Sequence, residues 1–167
     1  MLLNVSKVTE YSEPLSFDES FDLSDLQFGA CFPVSEPVAA RGTVRNSAGV
    51  LQLEGSLETV LHGRCDRCAA SFTRPVSFPL YALLTEELEE EDDEEEWTFL
   101  LENHCADLDD IVRTTFILSM DTQLLCSEDC KGICCKCGKN LNDGPCDCQP
   151  ESDPRFAVLR QLLKENQ

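Results

Sequence analysis

The chain has 167 residues and is 42% hydrophobic, enough for one ordinary domain with a small appendage or for two small domains. It carries 13 Lys and Arg against 32 Asp and Glu, a formal net charge of −19. That balance counts against a general nucleic-acid binder and against a protein of anionic membrane surfaces, both of which need positive faces, and it is compatible with a basic protein partner. The opening Met1-Leu-Leu-Asn-Val-Ser-Lys-Val has no basic stretch followed by an apolar one, and no apolar run approaches the roughly 20 residues that span a bilayer. The expectation is a cytoplasmic protein in a reducing compartment, where cysteines serve as ligands more often than as disulfides.

Residues 1–36 are mixed. Pro14-Leu15-Ser16-Phe17-Asp18 alternates as a strand does, and Ser24 is placed to cap a short helix or a turn. Cys31 stands alone and reads as a small buried side chain. From 37 to 85 the period is two: Val38, Ala40, Gly42 and Val44, then Leu51, Leu53, Gly55, Leu57, Thr59 and Leu61, then Phe72, Arg74, Val76, Phe78, Leu80, Ala82 and Leu84. Three such runs predict an antiparallel meander with one wet face. Asn46-Ser-Ala-Gly49 is the turn between the first two, and Cys65-Asp-Arg-Cys68 sits at the next.

Residues 86–96 hold one non-acidic residue and read as a solvated, self-repelling loop, with docking of a basic protein as the sharper alternative. Trp97–Leu101 looks like a returning strand. Leu108, Ile111, Val112, Thr115 and Phe116 share a helical face, behind Asp109 and Asp110 at the favourable end of the dipole, which predicts a helix over about 108–119. His104 and Cys105, just before it, suit a turn or the core better than a ligand role. Asp153-Pro154, ahead of Phe156, Leu159 and Leu163, predicts a short docking helix near the end.

Seven of the 11 cysteines fall between Cys126 and Cys148. Cys134-x-x-Cys137-Gly is a knuckle, in which backbone N–H groups turn toward two thiolates aimed at one ion. Cys146-x-Cys148, after Asp143-Gly144-Pro145, supplies a second pair from a turn, so Cys134, Cys137, Cys146 and Cys148 make a first four-thiolate site. By elimination Cys65, Cys68, Cys126 and Cys130 make a second, tying the hairpin to the segment after the helix. One site with the remaining thiols free is the alternative. Cys31, Cys105 and Cys135 are left over. Zinc suits such donors; iron in a rubredoxin-like centre also does. Closed coordination has no open position for water, so the ions are structural. Arg64, Arg67, Arg74, Lys131, Lys136 and Lys139 lie around the cysteines, either to balance thiolate charge or to meet RNA phosphate. No catalytic constellation or phosphate-cradling loop is evident.

Several of these stretches together resemble the YceD family of large ribosomal RNA subunit accumulation proteins. They are the C-x-x-C between strands, Leu108-Asp-Asp-Ile-Val-x-x-x-Phe-Ile-Leu, Cys130-Lys-Gly-Ile-Cys-x-x-Cys-Gly-x-Asn-Leu-Asn, Cys146-Asp-Cys148 and Asp153-Pro-Arg-Phe-Ala-x-Leu. The likeness covers most of the chain and is strongest from Cys126 to Leu163. Departures are Cys135 where the pattern usually has proline, the absence of a glutamate near Thr115, Asp121 in place of a proline, and a longer acidic run. The resemblance implies a role in accumulation of large-subunit ribosomal RNA, hence in ribosome assembly, with no catalytic mechanism.

The combined expectation is an α+β protein. Residues 1–121 form an antiparallel meander able to curl toward a barrel, with one packed helix and the acidic loop 86–96. Residues 122–167 form a cysteine-rich zinc-binding module with a C-terminal helix. The expected function is a non-enzymatic assembly factor with one or two zinc ions, partnered by large-subunit ribosomal RNA or by a basic ribosomal protein, with no membrane and no small-molecule substrate. The rivals are a thiol redox enzyme using Cys65 and Cys68 and a rubredoxin-like iron protein.

Overall fold

The computed structural model describes residues 1–11, 13–86 and 97–148. The chain divides into two compact units, Met1–Asp66 with Ala70–Cys126, and Arg67–Ala69 with the chain from Ser127 onward. The predicted C-terminal helix over 153–163 and nearly all of the acidic run 86–96 lie outside the described residues.

The first unit is built on an open five-stranded sheet. Its strands are β2 (Leu15–Phe21), β3 (Val38–Ser47), β4 (Val50–Arg64), β5 (Ser71–Thr85) and β6 (Thr98–Leu100), in that spatial order. A two-stranded sheet pairs β1 (Leu2–Asn4) with β7 (Cys105–Asp107). The main helix, α2, runs Leu108–Ser119, and a six-residue helix, α1, runs Ser6–Tyr11.

The period-two pattern does what it predicts. Leu51, Leu53, Leu57 and Leu61 of β4, Val38, Ala40 and Val44 of β3, and Leu80, Ala82 and Leu84 of β5 all point into one core. Ala48 and Gly49 both have positive φ, which is the backbone of a tight two-residue hairpin turn, and Asn46 Oδ1 accepts the Gly49 N–H at 2.9 Å. Helix α2 starts where Asp107 accepts the Asp109 N–H at 3.1 Å, and it ends as Met120 turns to extended backbone. Its face Ile111, Val112, Thr115 and Phe116 is buried. The Phe116 ring meets Phe78 of β5 edge-on at 5.5 Å and Phe28 at 6.2 Å. Complete burial of that one side chain is worth on the order of 2–3 kcal/mol in transfer from water. Arg113, on the exposed side, grips Asp25 with two hydrogen bonds of 2.8 and 3.0 Å, which holds the Asp25 carboxyl below its usual range.

Four expectations need correction. The sheet is not closed into a barrel: β2 and the three-residue β6 stand at opposite ends of the order, with no pairing between them. The expected antiparallel meander over 37–85 is present as β3 to β5. The returning strand is shorter than Trp97–Leu101 and lies parallel to the end of β5, with Leu83 opposite Thr98 and Thr85 opposite Leu100. Parallel neighbours need a crossover of about a dozen residues, and the acidic run supplies that length. Ser24 is not itself the cap: Asp22 Oδ1 accepts the Ser24 N–H at 3.0 Å, a bond that also lowers the Asp22 pKa. Finally, α2 is joined by α1, six residues that alternation and capping did not flag. Among the described residues no helix is long and apolar enough to cross a membrane.

Candidate metal centres

The second unit is organised by a hairpin from Ile133 to Asn140, which face each other as an isolated bridge. Cys134 N–H donates to Lys139 O at 2.8 Å and Gly138 N–H to Cys134 O at 2.9 Å. Gly138 sits at φ 73, so the chain can double back without a Cβ in the left-handed region. The N–H groups inside the turn then converge on sulfur: Lys136 N–H reaches Cys134 Sγ at 3.4 Å. Cys146 and Cys148 arrive from the far side of a 3₁₀ turn, Leu141–Asp143, and Lys139 Nζ ties down that approach by donating to Pro145 O at 2.8 Å. The result is four sulfurs, from Cys134, Cys137, Cys146 and Cys148, all within 4.8 Å of one another.

The second candidate group, Cys65, Cys68, Cys126 and Cys130, draws Cys65 and Cys126 from the first unit and Cys68 and Cys130 from the second. The Cys65–Cys68 turn shares the closing bond and the left-handed position of the knuckle. Cys65 N–H donates to Ala70 O at 2.9 Å, five residues on, as Cys134 does to Lys139. Ala69, at φ 58, holds the left-handed position that Gly138 holds in the other turn. Within the first unit, Asp66 N–H donates to Leu124 O at 2.8 Å and Leu124 N–H to Asp66 Oδ2 at 2.7 Å, two residues before Cys126. Within the second, Arg67 donates from Nη1 to Cys130 O at 3.3 Å, and its own carbonyl accepts the Ile133 N–H at 3.2 Å. Thus Cys31 and Cys105, set aside as non-ligands, remain outside both groups, and so does the exposed Cys135.

The donor chemistry fits a thiophilic divalent ion. Tetrahedral zinc with bonds of about 2.3 Å needs sulfurs about 3.8 Å apart, a spacing inside the 4.8 Å within which the sulfurs of Cys134, Cys137, Cys146 and Cys148 lie. Without a cation four thiolates cannot coexist. Backbone N–H groups of Cys137 and Lys136 hold the Cys134 thiol down to about 6, so one negative charge settles at the knuckle. Cys148 is pushed up to about 12, first by its bond with Cys137 and then by burial. A bound dication reverses that repulsion and takes the protons off. A further observation points the same way. Among the described residues, the second unit buries only Cys68 and Cys130 among its apolar side chains, while Ile133 is 48% exposed. Described residues that bury so little apolar surface must draw their stability from elsewhere.

The residues that sequence reading passed over are asparagines. Asn142 donates Nδ2 to Cys130 Sγ at 3.4 Å and to Asn140 Oδ1 at 2.8 Å, while its Oδ1 accepts the Lys131 N–H at 2.8 Å. Asn140 Oδ1 also takes the Asn142 N–H at 3.0 Å. Asn-Leu-Asn was visible as a motif; its wiring to sulfur was not. Asn142→Asp keeps the acceptor for Lys131 but aims a carboxylate oxygen at a thiolate. The expected result is a fall of about 10- to 100-fold in metal affinity of the group containing Cys130. Competition with a chromophoric chelator measures it, and unchanged affinity would show that the amide plays no part.

The model of the family described as large ribosomal RNA subunit accumulation protein YceD matches residues 53–163, a span that contains all eight cysteines of the two groups. A large ribosomal RNA subunit accumulation protein YCED homolog 1, chloroplastic, of Arabidopsis thaliana is 28% identical over 165 aligned residues, covering 81% of this chain and 51% of the relative. Its counterpart of the same description in Zea mays is 27% identical over 158, covering 77% of this chain and 54% of the relative. The chain therefore spans about half the length of these curated relatives. No solved structure matches.

Proposed function

This chain belongs to the YceD family, and on that premise we propose that it is a non-enzymatic factor for assembly of the large ribosomal subunit, acting to sustain accumulation of large-subunit ribosomal RNA. Zinc is its structural ion, with Cys134, Cys137, Cys146 and Cys148 holding one ion and Cys65, Cys68, Cys126 and Cys130 a second. Its working compartment is a reducing one, the cytoplasm. The observation that carries the reading is the four-sulfur group of Cys134, Cys137, Cys146 and Cys148 lying inside the family match. Four protein thiolates on each ion close the coordination shell, so the metal braces and does not catalyse. Cys65 and Cys68 are both buried and sit in a strand-to-strand turn, not at a helix start, which favours a ligand role over thiol redox chemistry. The partner is large-subunit ribosomal RNA or a basic ribosomal protein. Lys131, Lys136 and Lys139 are exposed beside the first group and offer the RNA route; the net charge of −19 offers the protein route.

The test is depletion of the protein in its own host, followed by quantification of both ribosomal RNAs. A selective fall in the large-subunit species, restored by the intact chain, is the expected result. Loss of neither, or equal loss of both, would refute the reading.

A further inference from the structure

The two long edges of the five-stranded sheet are built differently. The registers from β2 through β5 run without a skipped residue, so the direction of every backbone group follows from a few anchors. Leu83 N–H donates to Trp97 O at 2.8 Å and Thr85 O accepts from Leu101 at 2.7 Å, so odd residues of β5 face away from β4. His62 N–H donates to Pro33 O at 2.8 Å, so even residues of β4 face away from β5. Carrying the alternation across β3, odd residues of β2 bond to β3 and even ones face outward. On the β5 side, where β6 does not reach, the outward positions include Pro75 and Pro79. Neither has an N–H, and that edge is blunted. On the β2 side the outward positions are Ser16, Asp18 and Ser20. Strand β2 contains no proline, and among the described residues nothing pairs with that edge.

We propose that the outer edge of β2 accepts an extended basic peptide as a sixth strand. Main-chain bonds to Ser16, Asp18 and Ser20 supply the affinity of strand addition. Charge selects the occupant. Asp18 is exposed at the middle of the edge, and exposed Glu13 and Asp22 flank it. Arg41 contacts Asp18 at 3.0 Å and Glu58 at 3.6 Å, which leaves that trio net negative. A second copy of this chain would bring Asp18 toward Asp18 between two molecules of charge −19, an opposition of like charges. A cationic strand meets none of this. Its side chains alternate: cationic beside Ser16, Asp18 and Ser20, apolar on the side of Leu15, Phe17 and Phe21. The inference goes beyond the assembly-factor reading and stands without it.

The probe is an acetylated peptide of alternating lysine and valine, added to the full zinc-loaded chain, with a glutamate–valine peptide as control. Amide exchange at Ser16, Asp18 and Ser20 should slow when the lysine peptide binds, and binding should weaken as salt rises. Ser20→Pro removes one outward N–H without touching a β3 bond, so affinity should fall at least about tenfold while the β3–β5 amide spectrum is kept. Unchanged exchange at those three amides with peptide bound would overturn the proposal. So would equal binding of the glutamate peptide, binding that maps to the acidic run 86–96, or a dimer formed through β2. The exchange measurement needs no variant and decides the matter even if Ser20→Pro fails to fold.

Discussion

Cys137→Ser is expected to release one zinc ion and to melt the second unit while the sheet of the first survives. The size of the effect follows from how little the described part of that unit buries. Among its described residues only two cysteines are buried apolar side chains, and apart from Cys130 and Gly132 the chain from Ser127 to Cys148 is exposed or half-exposed. Burial of that kind contributes little, whereas structural zinc in small peptides contributes on the order of 10 kcal/mol of folding free energy. Removing one of four thiolates leaves three sulfurs and a weak or open position, and the ion loses most of that free energy. Native mass spectrometry should show one metal fewer, and amide exchange from Cys130 to Cys148 should rise toward unfolded rates. Amides of β3, β4 and β5 should keep their protection. Cys135→Ser is the matched control: that thiol is exposed, lies outside both sulfur groups, and should leave metal content unchanged. Unaltered exchange after verified metal loss would contradict the account, because something other than the ion would then hold the turns together.

The knuckle turns were legible in the chain because such a turn writes its own spacing: two thiols three apart, then a residue able to take positive φ. Gly138 declares that residue openly, while Ala69 conceals it, since alanine seldom adopts φ 58. The expectation that Cys65 and Cys68 pair with Cys126 and Cys130 rested on elimination alone, and nothing local to Cys65 encodes the Asp66–Leu124 clamp within the first unit. Strands β3, β4 and β5 were readable because a half-buried strand repeats every two residues over long runs. Strands β1 and β7, three residues each, are shorter than any period can show. The direction of β6 was hidden as well. A run of acids reports charge and length, and a strand after it can come back either way. Asn142 was missed for a more general reason. An amide that bonds a sulfur twelve positions away follows from tertiary placement, which side-chain type alone does not carry.

Gly55→Ala is expected to destabilise the sheet by about 3 kcal/mol or more, a large share of the roughly 5–15 kcal/mol available to a folded protein. In most strands the same change is favourable, because alanine loses less backbone entropy than glycine. Here the sign reverses on geometry. Gly55 stands directly opposite Gly42, and the two strands approach so closely that a Cβ at Gly55 would strike the Arg41 carbonyl oxygen and lie 2.7 Å from Gly42 Cα. All of these are backbone atoms inside a ladder, so neither strand can yield without giving up its hydrogen bonds. At Gly42 the obstruction is the Glu54 carbonyl oxygen at 2.8 Å together with the Phe17 ring, also at 2.8 Å. A ring can shift where a carbonyl cannot, but Phe17 is 8% exposed and packed in the core, so Gly42→Ala should cost less than Gly55→Ala and still be costly. Gly49→Ala separates this crowding from the ordinary cost of a left-handed residue: nothing lies within 4 Å of its would-be Cβ, and at φ 95 the penalty should stay near 1 kcal/mol. Urea denaturation of the zinc-loaded protein, followed by tryptophan-independent circular dichroism of the sheet, ranks the three. A Gly55→Ala protein as stable as the parent would mean that β3 and β4 do not meet backbone to backbone at this point. The register on which the outward faces of β2 and β5 were assigned would then have to be redrawn.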